Sequence, residues 1–131
     1  MKDCIFCKII NKELPTRTIY EDEDIQVIMN TNPITDGHLL ILPKKHYENI
    51  FDIKEEIIAH SIKVLREKLY PLIKEKLNCE GLTICENNFL GQEIKHFHIH
   101  VIPRYKDDNV DFSYNKDKIT DLDKVFQQLT K

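Results

Sequence analysis

From Ile94 to Ile102 the chain alternates two chemistries residue by residue. Ile94, His96, His98, His100 and Ile102 occupy one set of positions, and Phe97, Ile99 and Val101 fall between them. Successive side chains on an extended strand point to opposite faces. A period of two over aromatic and β-branched residues therefore predicts a strand across 94–102, closed by Pro103. One face presents three imidazoles in a row; the other offers apolar side chains to a covering helix. At about 3.3 Å per residue, His96 and His100 stand roughly 13 Å apart. Two neighbouring rings can share a metal ion, but three cannot, so the row divides its labour. An ordinary core face carries aliphatics there, whereas grouped titratable side chains on a rigid strand mark functional sites. A lone histidine such as His60 needs only a hydrogen-bond partner.

The rest of the chain frames that strand. Residues 19–20, 25–29, 38–42 and 82–85 read as further strands, with a hairpin at the acidic residues 21–24 and a loop at 33–37. The charged run 20–24 reads as solvated turn residues. Asp3 is placed to cap a short helix running to Ile10, and Pro15 ends that region. Over 52–77, Ile58, Ile62, Leu65, Leu69 and Leu72 recur at spacings of four and three, an amphipathic helix opened by an Asp52/Glu55 capping box. The Pro71 ring clashes with the carbonyl four residues back, which predicts a kink or two helices meeting at Tyr70. Leu122, Val125, Phe126 and Leu129 sketch a weaker C-terminal helix. Strands joined by one long crossover helix make an α+β fold.

The chain's 131 residues, 41% of them hydrophobic, suit one domain, 1–131, without repeat or linker. A net charge of -3 argues against binding along a nucleic-acid backbone. No apolar run is long enough for a membrane span, and Met1-Lys2-Asp3 leads into no signal-peptide core. The expected location is the cytoplasm, where the four cysteines stay reduced. Cys4-x-x-Cys7 fits a redox pair or half of a metal site. Cys79 and Cys85 read as small buried residues.

The blocks around the histidine row resemble the histidine triad (HIT) proteins, nucleotide-binding hydrolases and transferases. They are Gly91-Gln92-Glu93-Ile94-Lys95 before the row, Pro103-Arg104 after it, and residues 37–46 and 4–10 upstream. Together they span a core of about 4–104, which leaves 105–131 as a variable tail. The transferase branch usually carries Gln where this chain has His100, so the match favours the bacterial, Hint-like hydrolase side. The resemblance implies an antiparallel sheet of about five strands and a homodimer pairing two such sheets.

It also assigns roles. His98 corresponds to the nucleophile that forms a nucleotidyl-histidine on an α-phosphorus, with a backbone carbonyl as the expected partner of its second nitrogen. His100 corresponds to a donor toward the phosphate oxygens, His38 to a fourth histidine near the same phosphate, and Gln92 to a ligand of the bridging oxygen or leaving group. His38 by itself also reads as a buried histidine at a strand start. Asn30 falls where the family contacts the ribose hydroxyls, and Asn87-Asn88 matches its Asn-Asn pair. Phe89-Leu90 replaces a longer, glycine-bearing loop. Ile9, Ile19, Val27 and Ile28 are candidates for the apolar base pocket and equally fit plain core positions. In related proteins a cysteine pair joins two histidines around zinc; here Cys4, Cys7, His46 and His96 supply that set, which fits a closed structural site. No organic cofactor is implied.

The leading functional reading is a phosphohydrolase acting at the α-phosphorus of a purine nucleotide conjugate, either a nucleoside phosphoramidate or a dinucleoside polyphosphate. The runner-up is a nucleotide-binding or interaction module whose turnover is incidental. A third reading places the histidine row in a catalytic metal site.

Overall fold

The computed structural model describes residues 3–131, so Met1 and Lys2, where the absence of a signal sequence was read, lie outside the described residues. Five strands, β1 (Thr18–Glu21), β2 (Ile25–Met29), β3 (Leu39–Pro43), β4 (Gly81–Cys85) and β5 (Ile99–Arg104), form one sheet in the order β1-β2-β3-β5-β4. Every neighbouring pair is antiparallel. Helices α1 (Ile5–Ile10), α2 (Glu55–Val64), α3 (Tyr70–Leu77) and α4 (Leu122–Thr130) complete the α+β architecture. None of the described helices is long and apolar enough to cross a membrane.

The alternation sorts the two faces. Ile25, Val27, Leu39, Ile41, Ile99 and Val101 turn one way, onto Val64, Leu65, Leu69 and Ile73 of the crossover helix. Ile28, Leu40 and Leu42 turn the other way, toward Phe6 of α1. Each such buried aliphatic contributes about 1.5–3 kcal/mol of hydrophobic stabilisation, so β2 and β3, covered on both faces, are apolar nearly throughout.

The histidine strand differs from its expected bounds at both ends. It begins at Ile99 rather than Ile94, because the ladder with β3 ends at Ile41↔Ile99. Before that point the chain remains aligned by the segment after β3: the Phe97 N–H donates to the Tyr47 carbonyl at 2.7 Å. The facing survives, with Phe97 in the helix-side core. At the far end Pro103 does not stop the strand. Its carbonyl, on the β3 side, accepts from the Thr35 hydroxyl at 2.6 Å. β3 does not reach that far, since it begins at Leu39, opposite Val101. The missing Pro103 N–H therefore costs no ladder bond.

Two α-helices, α2 and α3, meet at Tyr70 as expected, joined by a π-helical turn, Leu65–Leu69, that is closed by the Tyr70 N–H on the Leu65 carbonyl. That wider turn takes up an extra residue just before Pro71, where a regular α-helix would clash. It also shifts the phase of the stripe. Beyond it Ile73, 4% exposed, faces the core in place of the expected Leu72, 39% exposed. The expected caps are also reassigned. Cys4, not Asp3, caps α1 by accepting from the Cys7 N–H. Lys54 precedes α2 without a side-chain cap, while the Asp52 carboxylate accepts from the N–H groups of Glu48 and Asn49.

Asp22 is more than a solvated turn residue. Its carboxylate accepts from the N–H groups of Asp24 and Ile25, from the Tyr20 hydroxyl at 2.7 Å, and from His60 Nε2 at 2.6 Å, tying the β1–β2 hairpin to α2. Burial alone would raise this carboxyl, but the hydrogen bonds from His60, Tyr20 and the two amides outweigh it and hold it well below the usual carboxylate range. A depressed carboxyl adds stability that is present above its unfolded value, near pH 3.9 in model peptides, and is lost as pH falls toward the folded value. Asp22→Asn is therefore expected to destabilise the domain by about 1–3 kcal/mol at pH 7. The gap to wild type should narrow below about pH 4. Paired thermal melts across pH check this, and a gap independent of pH would contradict it.

Candidate active site and metal centre

The three histidines of the row serve two neighbouring sites. His98 is buried, with its ring edge-on to Phe6 at 5.1 Å and to His100 at 5.0 Å between centroids. Its Nδ1 lies 2.7 Å from the His96 carbonyl oxygen. A carbonyl only accepts, so Nδ1 carries the proton. In the neutral ring, the lone pair is then on Nε2. This is the backbone partner that the sequence left unnamed.

A second chain of tautomers runs through His38. The Ile34 N–H donates to His38 Nδ1 at 3.1 Å, which leaves the proton of the neutral ring on Nε2. Nε2 stands 2.9 Å from His100 Nδ1 and donates to it, so His100 carries its own proton on Nε2. Burial holds His38 below the ordinary imidazole value and, with His98 and His38 nearby, pushes His100 down to about 4. Both rings are neutral at pH 7. Gly37 makes this placement possible: it sits at φ +87°, and an added Cβ would lie 2.6 Å from Leu77 Cδ1.

His98 and His100 line a cavity of about 650 Å³ whose wall also holds Asn30, Asn87, Ile9 and Ile28. That volume suits a small-molecule ligand. Ile19 and Val27 do not line it: Ile19 is exposed on β1, and Val27 belongs to the helix-side core. His38 stands behind His100 rather than in the wall. Gln92 is also turned away, donating from Nε2 to the Glu48 carbonyl at 2.6 Å. The Asn30 amide nitrogen lies 3.5 Å from His38 Nε2, and its oxygen accepts from the Asn32 N–H.

Phe6, Leu14, Glu93 and Cys85 also line the cavity, and the sequence assigned none of them to it. Phe6 shares a helical face with Ile9 and Ile10, a signal that was available. Cys85 is paired across the sheet with His100 and is half-buried, not a small core residue as expected. Cys79 is fully buried, as expected.

His96 faces the second site. Its Nε2 donates to the Pro43 carbonyl at 2.9 Å, which leaves the Nδ1 lone pair for a ligand. Cys4 Sγ and Cys7 Sγ stand 3.3 and 3.5 Å from that nitrogen, and Cys7 Sγ stands 3.3 Å from His46 Nδ1. The two imidazole nitrogens are 3.1 Å apart. Around a tetrahedral zinc, with bonds of about 2.0–2.3 Å, such donors lie roughly 3.3–3.8 Å from one another. Two sulfurs and two nitrogens, all within 4.8 Å, thus make a four-donor set that could hold a metal ion. Burial pushes His96 down to about 4 against the opposing pull of the Pro43 carbonyl, so the ring is neutral, the form that ligates.

Comparison with known proteins agrees with this architecture. The HIT domain family matches residues 11–107, a stretch that holds all five strands. A HIT-like protein of Methanocaldococcus jannaschii is 39% identical over 128 residues, covering 96% of this chain and 98% of its own length. An adenylylsulfatase of Arabidopsis thaliana is 38% identical over 112 residues, covering 81% of this chain and 54% of its own. The solved structure of a Zn-bound histidine triad family protein from Mycobacterium smegmatis superposes with a TM-score of 0.79 at 32% identity, covering 89% of this chain and 86% of the other. With the family matched over residues 11–107 and a relative aligned over nearly its full length, the chain belongs to the HIT family.

Proposed function

We propose that this protein is a nucleotide phosphohydrolase that attacks the α-phosphorus of a purine nucleotide conjugate through a nucleotidyl-histidine intermediate on His98. The observation that carries the reading is the Nδ1 bond of His98 to the His96 carbonyl, which commits the lone pair of the neutral ring to Nε2. That lone pair forms the N–P bond as the bond from phosphorus to the leaving group breaks. Water then attacks phosphorus, displaces Nε2 and releases the nucleoside monophosphate. His100 Nε2–H donates to the phosphoryl oxygens as charge gathers on them. Asn30 and Asn87 bind the nucleotide, and Phe6, Ile9 and Ile28 flank its base. Gln92 supports the loop beside the leaving group through the Glu48 carbonyl rather than by direct contact.

Zinc held by Cys4, Cys7, His46 and His96 supplies a cross-link between the start of α1 and the histidine row. With four protein donors the site leaves no position for a reacting water. The thiolates suit a reducing cytoplasm. A second copy pairing along the open edge of β4, where Ile84 is exposed, would give the homodimer.

The relative named an adenylylsulfatase supports a nucleotide conjugate as substrate and leaves the leaving group open. A panel of nucleoside phosphoramidates, nucleoside sulfates and dinucleoside polyphosphates, assayed for release of the nucleoside monophosphate, tests the function. Turnover of at least one class is expected; nucleotide binding without turnover of any class would favour a binding module. His38 acts by fixing the His100 tautomer. His38→Ala should lower kcat about 10- to 100-fold with little change in KM, the scale of weakening one preorganised donor to the phosphoryl oxygens. His38→Gln, which keeps an N–H donor, should recover part of the loss. Equal loss in both variants would contradict the relay.

A further inference from the structure

The four-donor centre is buried on one side only. Cys7 and His96 are buried, whereas Cys4 and His46 are half-buried and line an open groove of about 650 Å³. Among the described residues, the rest of that groove carries the carboxylates of Asp3, Glu48, Asp52 and Glu93 and the ammonium of Lys95. Asp52 is fixed by two backbone N–H groups, while the other three carboxylates sit on exposed side chains. This groove adjoins the nucleotide cavity, with which it shares Ile5, Glu93 and Ile94 as lining residues, while Asp3, Glu48 and Asp52 line the groove and not the cavity.

Resting on the reading of the centre as a zinc site, we propose that the acidic groove is the port through which a divalent cation reaches and leaves the Cys4–Cys7–His46–His96 donors. Metal occupancy then follows free cation while the domain stays folded. A metal enclosed on all sides exchanges only when the structure opens locally or globally, at the rate of that opening. Here two of the four donors face solvent, so they can release the ion one at a time into the groove. Clustered carboxylates in a cleft focus the field and concentrate cations, raising association rates by about 10- to 1,000-fold. Oxygen donors hold a divalent ion loosely, whereas thiolate and imidazole bind zinc strongly. The carboxylates thus gather the ion and the deeper donors retain it.

The test mixes chelator-stripped full-length protein with Zn²⁺ and a metallochromic competitor in a stopped-flow instrument, at low and high salt. The variant is Asp3→Asn/Glu48→Gln, which leaves all four donors and the nucleotide cavity unchanged. We expect its zinc on-rate to fall at least tenfold at low salt and to approach wild type near 1 M salt, where screening is nearly complete within about 3 Å. The zinc-loaded variant should melt with wild type, showing that it folds. Zinc release to a chelator should also outpace deuterium exchange at the α1 amides. An on-rate unchanged by the variant, or release no faster than α1 opening, would overturn the port and leave the zinc reading standing. Failure of the wild-type protein to bind zinc at all would overturn both.

Discussion

His98→Ala is expected to abolish turnover while nucleotide affinity stays within a few fold. The substitution removes the Nε2 lone pair that forms the bond to phosphorus, and leaves Asn30, Asn87 and the apolar wall around Ile9 and Ile28 in place. A required nucleophile contributes several kcal/mol to barrier lowering, so kcat should drop at least about 1,000-fold, roughly 4 kcal/mol. Single-turnover kinetics with equilibrium nucleotide binding on the same preparation separate the two effects. A fall in kcat of less than about tenfold would remove His98 from the role.

The opposite pattern is expected when the metal centre is broken. Cys4→Ser or Cys7→Ser should strip the metal and lower the melting temperature by about 10 °C, the scale of losing a few kcal/mol in a domain of this size. The intrinsic kcat of the surviving folded fraction should stay within a few fold. The reason is geometric: His96 turns Nδ1 to the thiols and Nε2 to Pro43, while its carbonyl holds His98. Losing the metal loosens that carbonyl's support but removes no reacting atom. Metal analysis, thermal unfolding and active-site titration on one preparation decide the matter. Metal-free protein that kept full thermal stability yet lost all turnover would mean the metal is catalytic, and the division of labour along the row would be wrong.

The period of two around His98 was legible because it is a property of the extended backbone itself. It assigned Phe97 to the helix side and the imidazoles to the opposite face, and this holds even where residues 94–98 lie outside the ladder. The ends of β5 were not legible, since they depend on how far its ladders with β3 and β4 run, and no local residue marks those points. Leu72 was misassigned for a related reason. One π-turn upstream advances the helical phase by a residue, and a pattern counted at fixed spacing carries the error forward to Ile73. Asp3 and Asp52 have good capping chemistry, but the Cys4 thiol and the loop at Glu48–Asn49 use the positions differently. The convergence of Cys4 and Cys7 with His46 and His96 joins residues up to 92 apart in sequence. Only the family resemblance brought those four together in advance. The bond of Gln92 to Glu48, and the half-buried position of Cys85 beside His100, are products of the folded loops and sheet.

The central claim is the covalent step at His98, and trapping the intermediate tests it most directly. Nucleotide labelled at the α-phosphorus would be mixed with excess enzyme, quenched without acid, digested and located by mass spectrometry. The account predicts a nucleoside-monophosphate adduct on the peptide carrying His98, formed and lost at rates that match turnover. An adduct on another residue, or complete turnover with no adduct on the enzyme at any time, would contradict it.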